Sequence, residues 1–215
     1  DNFWHTLEVV DNISKNTENL WLRWAALLHD IGKAPTKKFV DGIGWTFHGH
    51  EFLGSKMVKN LFYRLKLPLG SDMKYVQKLV KLSSRPIALV DDGTSDSALR
   101  RLLFDAGDDL EDLFILNKAD ITTKNSSKQA KFKKNFEDVA VKIKEVEEKD
   151  QIRNFQPPIS GEEIMALFGL NPGREIGILK EKVKEAILEG EIGNDKEQAR
   201  EFVIKEGKLL GLILV

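Results

Sequence analysis

Hydrophobic residues recur along most of this chain at the spacing of an α-helix. The first clear stripe, at i, i+1, i+4, i+7 and i+8, consists of Leu20, Trp21, Trp24, Leu27 and Leu28. Residues at these spacings share one side of a helix, so the stripe predicts a helix that ends near Gly32. Comparable stripes follow within residues 57–65, 75–82, 99–114, 132–146 and 176–188. The periodicity therefore predicts a largely helical protein.

One segment has instead the pattern of two short strands. Residues 37–47 carry aromatic and β-branched side chains on both sides of Asp41-Gly42, a dipeptide typical of tight hairpin turns. We therefore predict an all-α fold class: a helical bundle with one small β-hairpin, followed by a C-terminal helical module.

The domain organisation is predicted from prolines and from a helix-start signal. Pro157-Pro158 indicates a boundary, because the residue before a proline is pushed out of the helical region. Ser160-Gly-Glu-Glu163 has the pattern of a capping box that opens a new helix. We predict a first domain over residues 1–124, a long charged helix over 125–156 and the C-terminal module over 157–215.

Composition and charge exclude several classes of protein. The 215 residues include no cysteine, which excludes disulfide scaffolds, thiolate zinc sites and cysteine nucleophiles. No stretch is apolar for the length that crosses a bilayer, so we expect no membrane partner and a cytoplasmic location. The net charge of −1 means that any nucleic-acid binding must come from a local basic patch. Because the chain starts at Asp1 instead of Met, we expect a piece of a longer protein.

The candidate chemistry lies in the histidines, all of which fall in the first quarter of the chain: His5, His29, His48 and His50. His29 and Asp30 follow the most hydrophobic predicted helix. A neutral imidazole nitrogen and a hard carboxylate oxygen suit Mn, Fe, Zn, Ni or Co better than Ca. Such a site needs further ligands, for which His5 and Asp120 are the candidates.

Each of these residues also has a purely structural interpretation. A single histidine beside an apolar helix is most often a structural residue, Asp30 could pair with Lys33, and Asp120 could cap the following helix. Against this, a group of ionisable side chains at an apolar helix end is costly to desolvate unless something pairs with it. His48 and His50 could both face the site, since residues i and i+2 point the same way in extended chain, or only one of them could.

At these residues the sequence resembles the HD-domain superfamily of metal-dependent phosphohydrolases. It is more closely similar to the C-terminal half of bacterial tRNA nucleotidyltransferases of the CCA-adding and poly(A) polymerase family that carry an HD domain. The resemblance rests on Leu27-Leu-His-Asp-Ile-Gly-Lys33, Phe47-His-Gly-His-Glu-Phe-Leu-Gly54, Ser160-Gly-Glu-Glu-Ile-Met-Ala-Leu-Phe-Gly169, Gly173-Arg-Glu-Ile-Gly177 and Leu188-Glu-Gly-Glu-Ile192. It implies that residues 1–124 form an HD domain and residues 157–215 a module that binds the body of tRNA.

The resemblance also implies a mechanism for the histidine-rich region. One divalent ion, with Mg, Mn, Ni, Co, Fe and Zn all open, would be held by His5, His29, Asp30 and Asp120. Lys33 would stabilise charge on a phosphate, and His50, or less favourably His48, would protonate the leaving oxygen. The substrates would be nucleotides or 2′,3′-cyclic phosphates. Ser83 or Ser84 stands where many HD proteins have another histidine, which leaves a non-catalytic RNA-binding module as an alternative.

Full-length relatives in that family add C, C and A to tRNA from CTP and ATP, using an N-terminal head with a Gly-Ser loop and paired aspartates. The sequence shows neither feature, because Gly70-Ser71 lacks that context. We therefore expect ATP and CTP to bind only in a head absent from this chain. A free-standing HD phosphohydrolase is the alternative.

A separate group of basic residues is the candidate RNA-binding surface. No acidic residue interrupts this lysine run, which surrounds the aromatic Phe132: Lys124, Lys128, Lys131, Lys133 and Lys134. Arg174 starts a later predicted helix, where backbone N–H groups and the dipole favour a phosphate. With tRNA as the partner we expect recognition by shape and salt-dependent affinity. Acidic residues follow at 145, 147 and 148, so a simply solvated helix face is the alternative.

Overall fold

The computed structural model of the protein describes residues 2–91, 95–123 and 125–215, without the side chains of residues 90, 91, 126, 128 and 129. Helices account for most of the described residues, and two strands form one antiparallel hairpin, which confirms the predicted fold class. None of the described helices combines the length and the low charge that a bilayer-crossing segment requires.

The elements of the first half of the chain are, in order, α1 (Asn2–Ser14), α2 (Leu20–Leu28), α3 (Lys33–Thr36), β1 (Lys38–Val40), β2 (Gly44–Thr46), α4 (His50–Arg64), α5 (Ser71–Leu82) and α6 (Arg85–Asp91). Then follow α7 (Asp96–Ala106), a 3-10 turn (Gly107–Asp109), α8 (Leu110–Asp120), α9 (Ser126–Asp150), α10 (Gly161–Phe168), α11 (Arg174–Glu189) and α12 (Lys196–Leu209).

The chain packs as two units. The first comprises the described residues within Asp1–Gly93 and Ala106–Val139, and the second those within Thr94–Asp105 and Ala140–Val215. This grouping follows packing, so α7 and α9 each contribute to both units. The predicted division at residues 124 and 156 stays a prediction.

The core of the first unit lies where α2, α4 and α5 meet, with α1 and α8 packed against α2. Phe62 of α4 is fully buried there, and the rings of Trp21 and Trp24 pack on it with centroids 5.7 and 6.0 Å away. Of the predicted stripe only Leu28 is buried, Trp21 and Trp24 are half-buried, and Leu20 and Leu27 are exposed; the other buried residues of α2 are Leu22, Ala25 and Ala26. Burial of Leu22, Ala25, Ala26 and Leu28 fixes the end of α2, which His29 and Asp30 directly follow.

The β-hairpin forms where the sequence predicts it. Lys38 pairs with Thr46, Phe39 with Trp45, and Val40 with Gly44. Gly42 has a φ of 78°, a left-handed conformation that glycine adopts without steric cost. The turn therefore needs a glycine at this position.

The second unit is built on α10, α11 and α12. The Ser160 hydroxyl accepts a hydrogen bond from the backbone N–H of Glu163, whose carboxylate accepts one from the backbone N–H of Ser160. The predicted capping box is thus present at the start of α10. At the other end of α10, the ring of Phe168 lies directly on Gly207 of α12, where a β-carbon would lie 2.2 Å from Cζ.

Candidate metal centre

Four side chains that lie on or next to three different helices converge in the first unit. His5 lies on α1, His29 and Asp30 directly follow α2, and Asp120 is the last residue of α8. These three helices contact one another, so residues more than 100 positions apart in the chain become neighbours. The structure therefore brings the candidate ligands together: ligand atoms of His5, His29 and Asp120 lie within 4.8 Å of one another, and the Asp30 carboxylate lies beside both histidines.

The distances between their ligand atoms are short and form a continuous set. Asp120 Oδ1 lies 2.9 Å from His5 Nε2 and 3.3 Å from His29 Nε2. Asp30 Oδ2 lies 3.4 Å from His29 Nε2 and 3.8 Å from His5 Nε2. Ligand atoms that each sit about 2.1 Å from one ion, at angles between tetrahedral and octahedral values, are about 3.0–3.4 Å apart. The 3.3 and 3.4 Å distances fall within this range and the 2.9 and 3.8 Å distances lie on either side of it, so the spacing is close to that of ligands around one small cation.

His29 provides the observation that tests this fit. Its ring is 3% exposed, and its Nδ1–H donates to the carbonyl oxygen of Ala26 at 2.7 Å. Because a carbonyl only accepts, the neutral ring carries its proton on Nδ1 and its lone pair on Nε2. Nε2 is fully buried and has no hydrogen-bond partner among the described residues. A buried lone pair that faces carboxylates without a bonding partner is the arrangement that a metal ion completes.

The carboxylates determine the electrostatics of the site. Burial alone would lower the pKa of His29, but the nearby carboxylates of Asp120 and Asp30 outweigh it and raise this pKa above 6.5. Burial would raise the pKa of Asp120, yet the interaction with His29 and the charges of His5 and Lys33 hold it below its ordinary value. The raised pKa of His29 indicates a negative potential at its ring, which favours a cation at that point, whereas the lowered pKa of Asp120 reflects the positive groups beside its carboxylate.

Lys33 and His50 border the same carboxylate group. The Lys33 ammonium donates to Asp30 Oδ2 at 2.7 Å, and His50 Nε2 lies 3.7 Å from Asp30 Oδ1. The Nδ1–H of His50 donates to the carbonyl oxygen of Phe47 at 2.9 Å, which directs Nε2 towards the centre. His48 is exposed and does not belong to this group. Of the two histidines that the sequence left open, the geometry favours His50.

Two supporting contacts were not predicted from the sequence. His5 Nδ1 lies 3.1 Å from the Thr122 hydroxyl, which holds the ring so that Nε2 faces Asp120. Glu51 Oε2 lies 3.3 Å from His50 Nδ1, and the same carboxylate accepts a short hydrogen bond from Ser84. Ser83, at the expected histidine position, is buried and donates to the carbonyl oxygen of Val80. The group of four candidate ligands assembles without a histidine there.

A backbone contact holds the two halves of the site together. A β-carbon on Gly32 would lie 2.0 Å from the carbonyl oxygen of His50 and 2.8 Å from the amide nitrogen of Gly54. Any residue larger than glycine would therefore push α4 away from the segment that carries Asp30. The Gly in His-Asp-Ile-Gly has this positioning role, which the sequence alone did not reveal.

The candidate RNA-binding residues form a separate set of basic side chains. Lys124 falls outside the described residues, and the Lys128 side chain is not described. Lys131, Lys133 and Lys134 are exposed on α9, and Arg174 is the exposed first residue of α11. At 100° per residue, Lys131 and Lys134 share one side of α9 while Lys133 lies on another. The lysine run is therefore not a single stripe.

Comparison with known proteins agrees with this geometry. The sequence profile of the HD domain matches residues 2–123, more than half of the chain. The chain belongs to the HD-domain family. His5, His29, Asp30 and Asp120 all lie inside the matched segment, so we call their site the HD centre.

Individual relatives extend the similarity beyond the HD domain. The chain is 32% identical over 206 residues to the A-adding tRNA nucleotidyltransferase of Deinococcus radiodurans, covering 94% of this chain and 46% of that protein. It is 32% identical over 210 residues to the CC-adding tRNA nucleotidyltransferase of Thermus thermophilus, covering 93% and 44%. A multifunctional CCA protein of Psychromonas ingrahamii is 45% identical over 65 residues. The predicted relationship is confirmed, and the chain spans a little under half the length of the first two relatives.

The Gly32 contact predicts a specific sensitivity of the HD domain. Gly32→Ala should lower the free energy of unfolding by about 1–3 kcal/mol, the usual cost of overpacking, because the new methyl group clashes with backbone atoms of α4. Denaturant unfolding followed by far-UV circular dichroism measures this, since both units contain helices that contribute to the signal. Gly177→Ala is the control, because a β-carbon there meets nothing within 4 Å. Equal stability of the Gly32 variant and the wild type would contradict this account.

The HD centre also predicts metal-dependent stability. Mn²⁺ at about 100 times its Kd should stabilise the wild type by about 2.7 kcal/mol, or roughly 5–10 °C in Tm. Asp120→Asn keeps the shape of the side chain but removes its charge, and should abolish most of this shift. His48→Ala, which changes a histidine outside the centre, should retain it. A full shift in Asp120→Asn would show that Mn²⁺ binds elsewhere.

Proposed function

We propose that this chain acts on RNA as the HD-domain and tRNA-contacting part of a tRNA nucleotidyltransferase, and that its HD centre hydrolyses phosphoesters with a divalent ion. The observation that carries the hydrolytic proposal is the buried Nε2 of His29, which lies 3.3 and 3.4 Å from the carboxylates of Asp120 and Asp30 and forms no well-aligned hydrogen bond with a described residue. The similarity along nearly the whole chain to two tRNA nucleotidyltransferases supports the RNA proposal.

The charges of the HD centre suit an anionic substrate. When bound, a divalent ion lowers the pKa of a coordinated water and polarises a phosphoryl oxygen. Two carboxylates, the Lys33 ammonium and that ion leave the centre with a net positive charge, which attracts a phosphodiester. A 2′,3′-cyclic phosphate or a nucleotide is the substrate class that we propose.

Different residues of the chain have different roles around this phosphate: cation binding, hydrogen bonding to the phosphate and proton transfer. His5, His29, Asp30 and Asp120 hold the cation and fix its place. The Lys33 ammonium retains N–H groups not directed at Asp30, and these offer hydrogen bonds to phosphate oxygens as charge develops. The Phe47 carbonyl holds Nδ1–H of His50, so Nε2 faces the centre; in the imidazolium form Nε2 carries a second proton, which it delivers to the leaving oxygen.

The tRNA proposal concerns the surface rather than the HD centre. The exposed Lys131 and Lys134, which share one side of α9, and Arg174 at the start of α11 offer contacts to phosphates. A cytoplasmic location is part of this proposal, because tRNA is the partner. Addition of nucleotides from CTP and ATP, whether by CCA addition or by poly(A) polymerase activity, is assigned to no described residue.

Hydrolysis is tested with 2′,3′-cyclic AMP and Mn²⁺. His29→Ala and Asp30→Asn should each abolish turnover, because each removes a cation ligand, and a chelator should do the same to the wild type. His50→Ala should retain the metal-dependent Tm shift yet lower kcat by about 10²–10⁴, the usual contribution of general acid–base catalysis. A wild-type chain that binds Mn²⁺ but hydrolyses neither cyclic phosphates nor nucleotides would leave only the RNA-binding proposal.

Binding of tRNA is tested across a salt series. The slope of log K against log[salt] should become shallower by about 0.7–0.9 for each phosphate that a lysine no longer neutralises. The double variant Lys131→Glu, Lys134→Glu should therefore bind tRNA more weakly and with a shallower slope than the wild type. Lys144→Glu, an exposed lysine on the same helix beside Glu145, is the matched control. If the double variant and the wild type have identical slopes of log K against log[salt], then Lys131 and Lys134 of α9 do not contact tRNA.

A further inference from the structure

The β-hairpin leaves large apolar side chains in solvent. Phe39 is 56% exposed, Trp45 is 59% exposed, and Ile43 in the turn is 74% exposed. Phe39 and Trp45 are paired across the two strands, so both side chains lie on the same face of the hairpin. We call this face, formed by Phe39, Trp45 and Lys37, the aromatic face.

The aromatic face has a defined geometry. The rings of Phe39 and Trp45 meet edge to face, with centroids 5.2 Å apart and planes at 73°. The Lys37 ammonium lies 4.3 Å from the centroid of the Trp45 ring, within range of a cation–π interaction. A cross-strand aromatic pair stabilises a hairpin by itself. Hairpin stabilisation does not require that more than half of the surface of Phe39 and of Trp45 be exposed to solvent. Nor does it require a lysine beside one of the rings.

The hairpin is inserted between two residues of the HD centre. Its first strand begins at Lys38, shortly after Lys33, and its second strand ends at Thr46, shortly before His50. Phe47, just after the second strand, lies with its ring centroid 6.0 Å from the Lys33 ammonium. Because a residue spans at most about 3.3–3.6 Å of extended chain, the Cα of Trp45 is within roughly 18 Å of that of His50. The aromatic face is thus within a few nucleotides' reach of the HD centre.

The charge around the hairpin favours a polyanion. The segment from residue 33 to residue 47 contains Lys33, Lys37 and Lys38 against a single acid, Asp41. Exposed aromatic rings next to lysines are the combination by which proteins bind unpaired nucleic acid, with bases stacked on rings and phosphates held by cations. A protein partner of ordinary composition would not need this positive charge.

We propose that the aromatic face binds an unpaired nucleobase of an RNA strand, and so holds that strand beside the HD centre. The inference deepens the proposed function, since it supplies the recognition that a phosphate site alone lacks. Stacking accepts any base, so the face gives selectivity for single-stranded over paired RNA rather than for a particular sequence.

The test measures binding of a six-residue oligoadenylate to the full chain by fluorescence anisotropy. Trp45→Ala should raise the Kd about fivefold to 100-fold, the effect expected when one base stack is removed, whereas Trp45→Phe should retain most of the affinity. Tyr63→Ala, which removes a 74% exposed ring at the end of α4, is the matched control and should leave the Kd unchanged. Unchanged binding by Trp45→Ala would overturn the proposal.

A second measurement needs no variant, so an unfolded hairpin does not confuse it. The wild type should bind the single strand more tightly than a GC-rich RNA duplex that stays paired under the assay conditions, because paired bases do not expose their faces. Equal affinity for the two forms would overturn the proposal. Two other results would also overturn it. In the first, the wild type is a dimer and Trp45→Ala is a monomer, which would mean that a second copy covers the face. In the second, Trp45→Ala loses binding to anionic vesicles but not to oligoadenylate, which would mean that a membrane covers the face.

The outcome is separable from that of the hydrolytic proposal. Oligoadenylate binding should persist in a chelator and in Asp120→Asn, both of which remove the cation but leave the hairpin intact. If the wild type shows no hydrolysis and Trp45→Ala loses oligoadenylate binding, the hydrolytic role is refuted and the role of the aromatic face is supported. If the wild type hydrolyses cyclic phosphates and Trp45→Ala binds oligoadenylate as well as the wild type does, the hydrolytic role is supported and the role of the aromatic face is refuted.

Discussion

The desolvation of ionisable groups at the end of α2 is the constraint on which the functional part of this structure depends. His29 and Asp30 are 3% and 8% exposed, and Asp120 approaches them from α8. Buried carboxylates without compensation are costly, and removal of one partner from such a group leaves the other charge uncompensated. Lys33 donates directly to Asp30, whereas the Asp120 carboxylate lies beside the imidazoles of His5 and His29. A cation at His29 Nε2 would complete this balance, so stability and chemistry have the same requirement.

The helical scaffold meets that requirement through helix ends. Asp30 and Asp120 lie where α2 and α8 terminate, and His50 is the first residue of α4. A side chain at a helix end lies outside the buried face of the helix. Its position is still fixed, because buried residues one or two turns away hold the helix axis in place. Gly32 then lets the backbone of α4 approach the chain after Asp30. Packing of apolar residues thus sets the separation of the polar atoms in the HD centre.

Much of this was predictable from the sequence, for physical reasons that particular residues illustrate. The helices follow from periodicity, the hairpin from Asp41-Gly42 and the start of α10 from Ser160 and Glu163, all of which are local signals. Convergence of His5 with Asp120 was expected only because an imidazole–carboxylate pair needs more ligands and the family resemblance pointed to the same residues. Thr122, Glu51 and the close approach at Gly32 carried no signal, because each depends on tertiary packing between distant segments.

The serines at the end of α5 show how the centre differs from a site with a further histidine. Ser83 is turned to the backbone of its own helix, and Ser84 donates to Glu51. Glu51 in turn lies beside His50 Nδ1, so this position stabilises the orientation of a neighbouring imidazole and supplies no ligand of its own. A carboxylate beside Nδ1 favours the tautomer in which Nε2 is free to exchange a proton. The serines therefore add no imidazole to the group of candidate ligands, and Ser84 supports the orientation of His50 through Glu51.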